Sequence, residues 1–266
     1  MKACLKKETL EVLRTGKFWI YMGAGIGMAL MSVMLFFMMK VVSSFEVAAE
    51  QMAGMMVMFE MTYANSVMYF MTIMGTYFVI LAIIMTMRVV SKELQDKKWT
   101  LPICSGVKPS HMIASKLIVN TAAIVLAFIA ASLFHMIITI IFFTANITVW
   151  DMLYYYAMLL VFIIFITTFT ISLNAIIKKG WLTALISILT LIFVSNIFGM
   201  IPIGSSTLSN FSPFLFLDQL QNGVALVVAK NTWYEYLSAG LSTFVLMALL
   251  IFFAIKSSKV AAQNLK

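Results

Sequence analysis

The amino-acid sequence predicts an all-α membrane protein with six transmembrane helices. Of its 266 residues, 63% are hydrophobic and only 11% are charged, and the mean hydropathy is +1.03. A soluble domain is about half apolar and about a quarter charged, so this composition excludes an ordinary water-soluble protein. The charges are also unevenly distributed along the chain, which predicts the orientation of the helices.

Six uncharged runs are long enough to be membrane spans. The hydrocarbon core of a bilayer is about 30 Å thick and requires about 20 residues of helix. Runs of this length without Asp, Glu, Lys or Arg occupy residues 18–39, 63–87, 117–143, 153–177, 181–201 and 237–255. We expect residues 1–266 to form a single membrane domain without a nucleotide-binding domain.

The positive charges predict that both termini lie in the cytoplasm. Of the 18 Lys and Arg residues, 16 lie in the two termini and the connecting segments on the same side of the membrane, and two lie on the opposite side. Segments rich in Lys and Arg stay in the cytoplasm. With four acidic residues inside and six outside, the two sides carry +12 and −4. The net charge of +8 therefore indicates orientation and gives no reason to expect a nucleic-acid partner.

Residues 1–17 predict an amphipathic helix before the first span. Leu5 and Leu13 fall on one side of this helix, and Lys7 and Arg14 fall on the other. A basic amphipathic helix lies along the anionic inner leaflet of a membrane. A charged flank that only fixes the topology would give the same pattern, so both interpretations stay open.

The sequence lacks the motifs of common catalytic sites. It has no phosphate-binding P-loop and no HExxH zinc motif, so a bound metal or cofactor is not expected in this chain. His135 lies within the third span and is interpreted as a neutral residue that hydrogen-bonds to a neighbouring helix, with proton coupling as the alternative. The Met-rich stretch 52–61 is interpreted as the apolar side of an interfacial helix, with copper(I) binding as the alternative.

The most polar segment, residues 91–110, connects spans two and three. Its composition predicts a short cytoplasmic helix, interrupted at Pro102 and Gly106, and then a helical run through Lys116 into the membrane. A short helix that is joined rigidly to two spans is suited to receive a push from a soluble partner.

Four elements of this region follow one another in a characteristic order. They are Glu93, Thr100-Leu101-Pro102, Ser105-Gly106-Val107 and Lys116. This arrangement resembles the permease subunit of ABC-2 type transporters, which typically has a Glu after the second span, a Gly-Thr-Leu-like element, a Ser-x-Pro/Gly-Val/Ile-Ser-Arg-like turn and a Lys before the third span. Here Trp99 replaces the usual Gly, and Lys108 is the cation nearest to the position of the missing Arg.

The resemblance implies that the chain is driven by ATP through a partner. Two copies of a separate ATPase would bind ATP and Mg, and a second permease subunit, identical or a paralogue, would complete the complex. The N-terminal helix would be the family's elbow helix, and Ser212, Pro213 and Phe214 would belong to a re-entrant outer segment. The residues expected to couple to the ATPase are Glu93, Leu94, Lys97, Lys98, Trp99, Thr100, Leu101 and Pro102.

Polar residues form stripes on spans two and five. The resemblance implies that these stripes line a translocation path between two permease subunits, and hydrogen bonding between the helices of one bundle is the alternative. The residues are Ser66, Tyr69, Thr72, Thr76, Thr183, Ser187, Thr190 and Asn196.

The resemblance thus implies the membrane subunit of an ATP-driven exporter, and we expect it in a bacterial cytoplasmic membrane, with no catalytic residues of its own. Because the six spans carry no charge, we expect amphipathic or hydrophobic cargo, with a peptide toxin or antimicrobial peptide favoured. The alternatives within transport are lipid-like drugs, polysaccharide and metal-related cargo. Outside transport, the alternatives are a membrane scaffold or sensor and an intramembrane enzyme.

Overall fold

The computed structural model of the chain describes residues 1–43, 63–142, 149–194 and 233–263. Within these ranges, every element of regular secondary structure is a helix. The predicted all-α fold is confirmed for this part of the chain. The Met-rich stretch 52–61, Asn196 and the predicted re-entrant residues 212–214 lie outside the described residues.

The described helices follow one another in the order of the predicted spans. One π-turn, Met74–Phe78, joins the helices Tyr63–Ile73 and Val79–Thr86, and a second, Thr190–Val194, follows the helix Gly180–Leu189. The α-helices are α1 (Lys2–Arg14), α2 (Lys17–Ser43), α3 (Tyr63–Ile73), α4 (Val79–Thr86), α5 (Ser91–Gln95), α6 (Thr100–Cys104), α7 (Pro109–Phe142), α8 (Val149–Ile177), α9 (Gly180–Leu189) and α10 (Trp233–Gln263).

Five of the described helical stretches are long and apolar enough to cross a membrane. They are Lys17–Leu35, Ser66–Gln95, Pro109–Phe142, Met152–Ile177 and Gly240–Ala261. At the predicted fifth span, the apolar helix Gly180–Ile192 is shorter, and residues 195–201 lie outside the described chain. The predicted fifth span, and with it the total of six, therefore stays a prediction, as does the cytoplasmic location of the termini.

Helix α7 contacts helices that are distant in sequence as well as the helix that follows it. It packs against α2 and α8, and α1 and α10 also contact it. Large apolar side chains fill the interior, where Phe70, Phe128 and Phe162 are buried. Helix α2 approaches α7 closely at Gly25, where a Cβ atom would lie 3.2 Å from the Cβ of Ala131. The close contact of these two helices depends on small residues.

The connection between α4 and α7 contains two short helices instead of the predicted single one. The first, α5, is followed by a left-handed turn at Lys97, whose φ is 52°. The amide of Lys98 donates to the carbonyl of Glu93, which is the bond that closes a Schellman helix end. The interruption predicted at Pro102 is wrong, because Pro102 lies in the first turn of α6. An N–H in the first turn of a helix has no acceptor within that helix, so proline is tolerated there. The predicted interruption at Gly106, with a φ of 85°, is confirmed.

Candidate functional site

Charged side chains form a buried cluster at the end of the bundle that is predicted to be cytoplasmic. The carboxylate of Glu93 accepts hydrogen bonds from Lys7 Nζ at 2.8 Å and from Trp99 Nε1 at 2.9 Å, and it pairs with Lys116 Nζ at 2.8 Å. Lys116 Nζ also donates to Glu8 Oε1 at 3.0 Å. We call these five residues the Glu93 cluster. Its two carboxylates and Lys116 are each at most 4% exposed.

The Glu93 cluster joins three parts of the chain that are distant in sequence. Lys7 and Glu8 lie on α1, Glu93 lies on α5, and Lys116 lies near the start of α7. Trp99 follows the left-handed turn after α5 and is fully buried. Removing one partner of a buried ion pair leaves a charge without compensation, which typically costs about 3–5 kcal/mol. The cluster therefore holds α5 firmly against both α1 and α7.

The surroundings shift the pKa of both α1 residues in the cluster. Burial raises the pKa of Glu8 above its usual 4.5; the charge of Lys116 opposes this shift, and the charge of Glu93 adds to it. For Lys7, partial burial alone would lower the pKa, but the hydrogen bond and the negative charge of Glu93 leave its pKa raised above 10.5. Lys7 thus stays charged at neutral pH, whereas burial disfavours the charged form of Glu8.

Glu8→Gln is expected to gain stability relative to the wild type as the pH rises from below 4.5 to neutrality. A carboxyl group whose pKa is raised by folding favours the folded state while it is protonated. That contribution is lost as the pH rises through the pKa of the folded state. Because Gln stays neutral, the difference in Tm between variant and wild type should shift in favour of the variant. Thermal unfolding of both proteins in one detergent at the two pH values measures this shift.

Thr9→Ala is the control for this prediction. Thr9 lies on the same helix, is exposed, and its hydroxyl donates to the carbonyl of Leu5 one turn earlier. Because threonine carries no titrating group, this substitution should leave the pH dependence of Tm as it is in the wild type. If Glu8→Gln also followed the wild type at every pH, the raised pKa of Glu8 would be wrong.

A cavity of about 270 Å³ adjoins the Glu93 cluster. One carboxylate oxygen each from Glu8, Glu11 and Glu93 lies within 4.8 Å of the others, a spacing that could accommodate a metal ion. Oxygens of Glu8 and Glu93 already bind the ammonium group of Lys116, which supplies the positive charge that a metal would bring. Lys116 therefore accounts for the close approach of the Glu8 and Glu93 carboxylates without a metal.

The residues predicted to couple to an ATPase differ in how accessible they are. Glu93 and Trp99 are buried in the Glu93 cluster, so a soluble partner would not touch them directly. The partly buried ones are Leu94, Thr100 and Pro102. The exposed ones are Lys97, Lys98 and Leu101. Leu101 is 83% exposed, which makes it the most prominent apolar group that α6 offers to a partner.

Asn174, near the end of α8, holds the start of α5. Its Oδ1 accepts hydrogen bonds from the amides of Val90 and Ser91, both at 2.9 Å. Its Nδ2 donates to the hydroxyl of Ser91 at 3.1 Å and to that of Thr183, on α9, at 3.3 Å. One fully buried side chain thus connects three helices. The sequence does not reveal this role, because the helical periodicity of a polar residue says nothing about a partner 83 positions away.

Several of the predicted path residues form hydrogen bonds with other residues of the bundle. Ser66 hydrogen-bonds with a side chain of α7, and Thr183 and Ser187 hydrogen-bond with side chains of α8. The hydroxyls of Thr72 and Thr190 donate to carbonyls one turn earlier in their own helices. The other described path residues are partly buried: Tyr69 and, in the first π-turn, Thr76. A path between two subunits that these residues would line stays a prediction.

His135 connects α7 to two neighbouring helices. Its Nδ1 hydrogen-bonds with the hydroxyl of Tyr156 at 2.7 Å, and its Nε2 hydrogen-bonds with Ser66 Oγ at 3.2 Å. The ring of Phe70 stacks on the imidazole, with centroids 4.2 Å apart. A Ser–His pair oriented by a third group also occurs in hydrolases. Here Ser66 and His135 are fully buried, and their contacts are those expected of a histidine that holds helices together.

Comparison of the chain with models of known protein families finds no match, and comparison with curated proteins finds none either. The functional interpretation therefore depends on the residues and contacts described above.

Proposed function

We propose that this chain is the membrane subunit of an ATP-driven exporter of the ABC-2 type. The observation that carries the proposal is how α5 and α6 are attached to the bundle. The Glu93 cluster ties α5 to α1 and α7, and Asn174 ties it to α8 and α9. A soluble partner that displaces α5 and α6 would displace these helices as well, which is what coupling between an ATPase and a membrane pathway requires.

Two copies of a separate ATPase would supply the energy by binding ATP and Mg. A second copy of this chain, or a paralogue, would complete the membrane part of the complex. ATP shifts the equilibrium between two arrangements only if it favours one of them, and closure of the ATPase pair on ATP provides that preference. Because α5 is held by buried charges and hydrogen bonds, and Ile103 of α6 is buried in an apolar cluster with residues of α7 and α8, closure would move α5 and α6 together with the helices they contact.

An amphipathic or hydrophobic cargo, such as a peptide toxin or antimicrobial peptide, fits this chain best. The predicted spans carry no Asp, Glu, Lys or Arg, so the pathway offers no fixed charge to recognise an ionic substrate. Several of the polar side chains in the spans are already engaged in contacts between helices. Stimulation of ATP hydrolysis by amphipathic peptides, and not by sugars or metal ions, would support this choice of cargo.

Leu101→Glu is expected to weaken ATPase binding by about thirtyfold, because an apolar residue at the centre of an interface contributes about 2 kcal/mol. The partner for this test is the ATPase, with a Walker loop and no membrane span, that we expect a neighbouring reading frame to encode. Both subunits are co-purified in nanodiscs, and binding and ATP hydrolysis are measured for wild type and variant. The exposed position of Leu101 means that the fold should be unaffected.

Trp150→Glu is the matched control. It introduces the same charge at a residue that is 79% exposed and lies in the first turn of α8, at the opposite end of that helix from Asn174 and α5. Binding of the ATPase should be unchanged in this variant. Equal binding of the ATPase by wild type and Leu101→Glu would refute α6 as the docking element, and the absence of any ATPase partner would favour the scaffold or sensor interpretation.

A further inference from the structure

A second cavity, of about 490 Å³, opens where the chain leaves α4 and where α9 begins. Arg88, Lys92 and Lys179 line it, and none of the three forms an ion pair with any residue that the structure describes. Asp96, the carboxylate on its rim, is paired with Lys98 at 3.3 Å. This cavity, which we call the basic groove, therefore presents three cationic side chains that have no ion-pair partner within 4.0 Å among the described residues, although Arg88 and Lys92 also border the neighbouring cavity that contains Glu8, Glu11 and Glu93.

The basic groove continues into an apolar surface. Trp181 lines its edge and is 62% exposed. Tryptophan is enriched at membrane–water interfaces, so its position here is consistent with the predicted inner interface. Ile84, on α4, lies four residues before Arg88, and Leu185, on α9, lies four residues after Trp181. Ile84 and Leu185 are therefore further from the predicted cytoplasmic end, and each is 46% exposed. Helices α4 and α9 pack against each other. Cations at the predicted interface thus lie beside exposed apolar side chains of the predicted membrane spans.

Gly180 allows Arg88 to lie along the wall of the basic groove. A Cβ atom at Gly180 would overlap the Arg88 side chain, so only glycine permits the present position of the guanidinium group. The start of α9 opens on the same groove and has no side-chain cap, which adds a weak preference for negative charge.

We propose that the basic groove binds the headgroup of an anionic phospholipid of the inner leaflet, such as phosphatidylglycerol. The phosphate lies among Arg88, Lys92 and Lys179, and the acyl chains follow Ile84 and Leu185 into the bilayer. Anionic lipids are enriched in the cytoplasmic leaflet, and basic pockets between helices on that side bind their headgroups. A free phosphate would satisfy the cations but would gain nothing from the apolar surface beside them, which is why the lipid is favoured.

The test compares the purified full chain in phosphatidylcholine nanodiscs with and without phosphatidylglycerol. Phosphatidylglycerol should raise the Tm of the wild type by about 3 °C, because a ligand that binds only the folded state stabilises it. The double variant Arg88→Gln/Lys179→Gln should lose this shift. Native mass spectrometry should show retained phosphatidylglycerol on the wild type and its loss from the variant. Soluble glycerol 3-phosphate at the same concentration should have no effect on Tm.

Two further variants separate a defined site from general attraction to an anionic surface. Lys108→Gln/Lys259→Gln removes the same charge from a different cavity at the predicted cytoplasmic side and should keep the shift in Tm. Gly180→Ala leaves every charge in place but displaces Arg88, and it should reduce the shift.

Equal losses in the two double variants would overturn the proposal, as would a shift in Tm with glycerol 3-phosphate or no shift with phosphatidylglycerol. The measurement needs no ATPase, so it is independent of the proposed transport function.

Discussion

Glu93→Gln is expected to lower the free energy of unfolding by about 3 kcal/mol and the Tm by about 9 °C. The variant removes one of the two carboxylates that pair with Lys116, whose Nζ is then left with Glu8 alone. Glu8 is a poor replacement, because burial raises its pKa and disfavours its charged form. Thermal unfolding in detergent, followed by the fluorescence of tryptophan, measures the change, since Trp99 loses the charged acceptor of its Nε1–H.

Two variants distinguish the loss of a buried charge from the loss of any carboxylate in this segment. Asp96→Asn removes the exposed partner of Lys98 and should change the stability by less than about 0.5 kcal/mol. In the Glu93→Gln background, Lys116→Met removes the uncompensated ammonium group and should restore most of the lost Tm. If Glu93→Gln and Asp96→Asn had equal effects, the Glu93 cluster would not be a stabilising contact.

The burial of Glu93 also affects how docking of a partner is best tested. Charge reversal at Glu93 would place an ammonium group against Lys7 and Lys116, so a loss of transport could result from disrupted packing alone. Leu101 is exposed, and its substitution changes the surface without changing the interior. A difference between Leu101→Glu and wild type therefore reports on the interface itself.

The spans could be predicted from the sequence because hydropathy adds up over about 20 residues. Helix α7 covers residues 117–142 of the predicted span 117–143, and α8 contains the predicted span 153–177. Their ends are less predictable. The second helical stretch continues to Gln95, beyond the predicted end at Met87. Asn174 accepts hydrogen bonds from the amides that begin α5, and the Glu93 cluster holds α5 in place, so the chain stays helical after its apolar part ends.

The Glu93 cluster could be predicted only in part. The family resemblance identifies Glu93 and Lys116, but it does not pair them with α1, since the partners lie 86 and 108 positions away. Amphipathic periodicity places Lys7 on the polar side of α1, yet it donates to a buried carboxylate. One signal in the sequence points to Glu8: it lies four residues before Val12, on the side of the helix that is buried. An acid on a buried face requires a partner.

Asn174→Ala is expected to lower the free energy of unfolding by about 3 kcal/mol, because two buried amides lose their acceptor at about 1–3 kcal/mol each. Val90 and Ser91 lie at the start of α5, where the helix itself has no carbonyl to offer them. Hydrogen–deuterium exchange of peptides that cover residues 88–95 should become faster in the variant. Thermal unfolding of the same sample gives the change in stability.

Asn120→Ala is the matched control, because Asn120 is also a buried asparagine in a membrane helix. Its Nδ2 donates to a carbonyl in its own helix, and its Oδ1 has no hydrogen-bond partner among the described residues. Its removal should cost less and should leave exchange at residues 88–95 unchanged. If exchange there also stayed slow in Asn174→Ala, the amides would be protected by packing alone. Helix α5 would then be coupled to α1 and α7 through the Glu93 cluster, without the hydrogen-bonded link to α8 and α9.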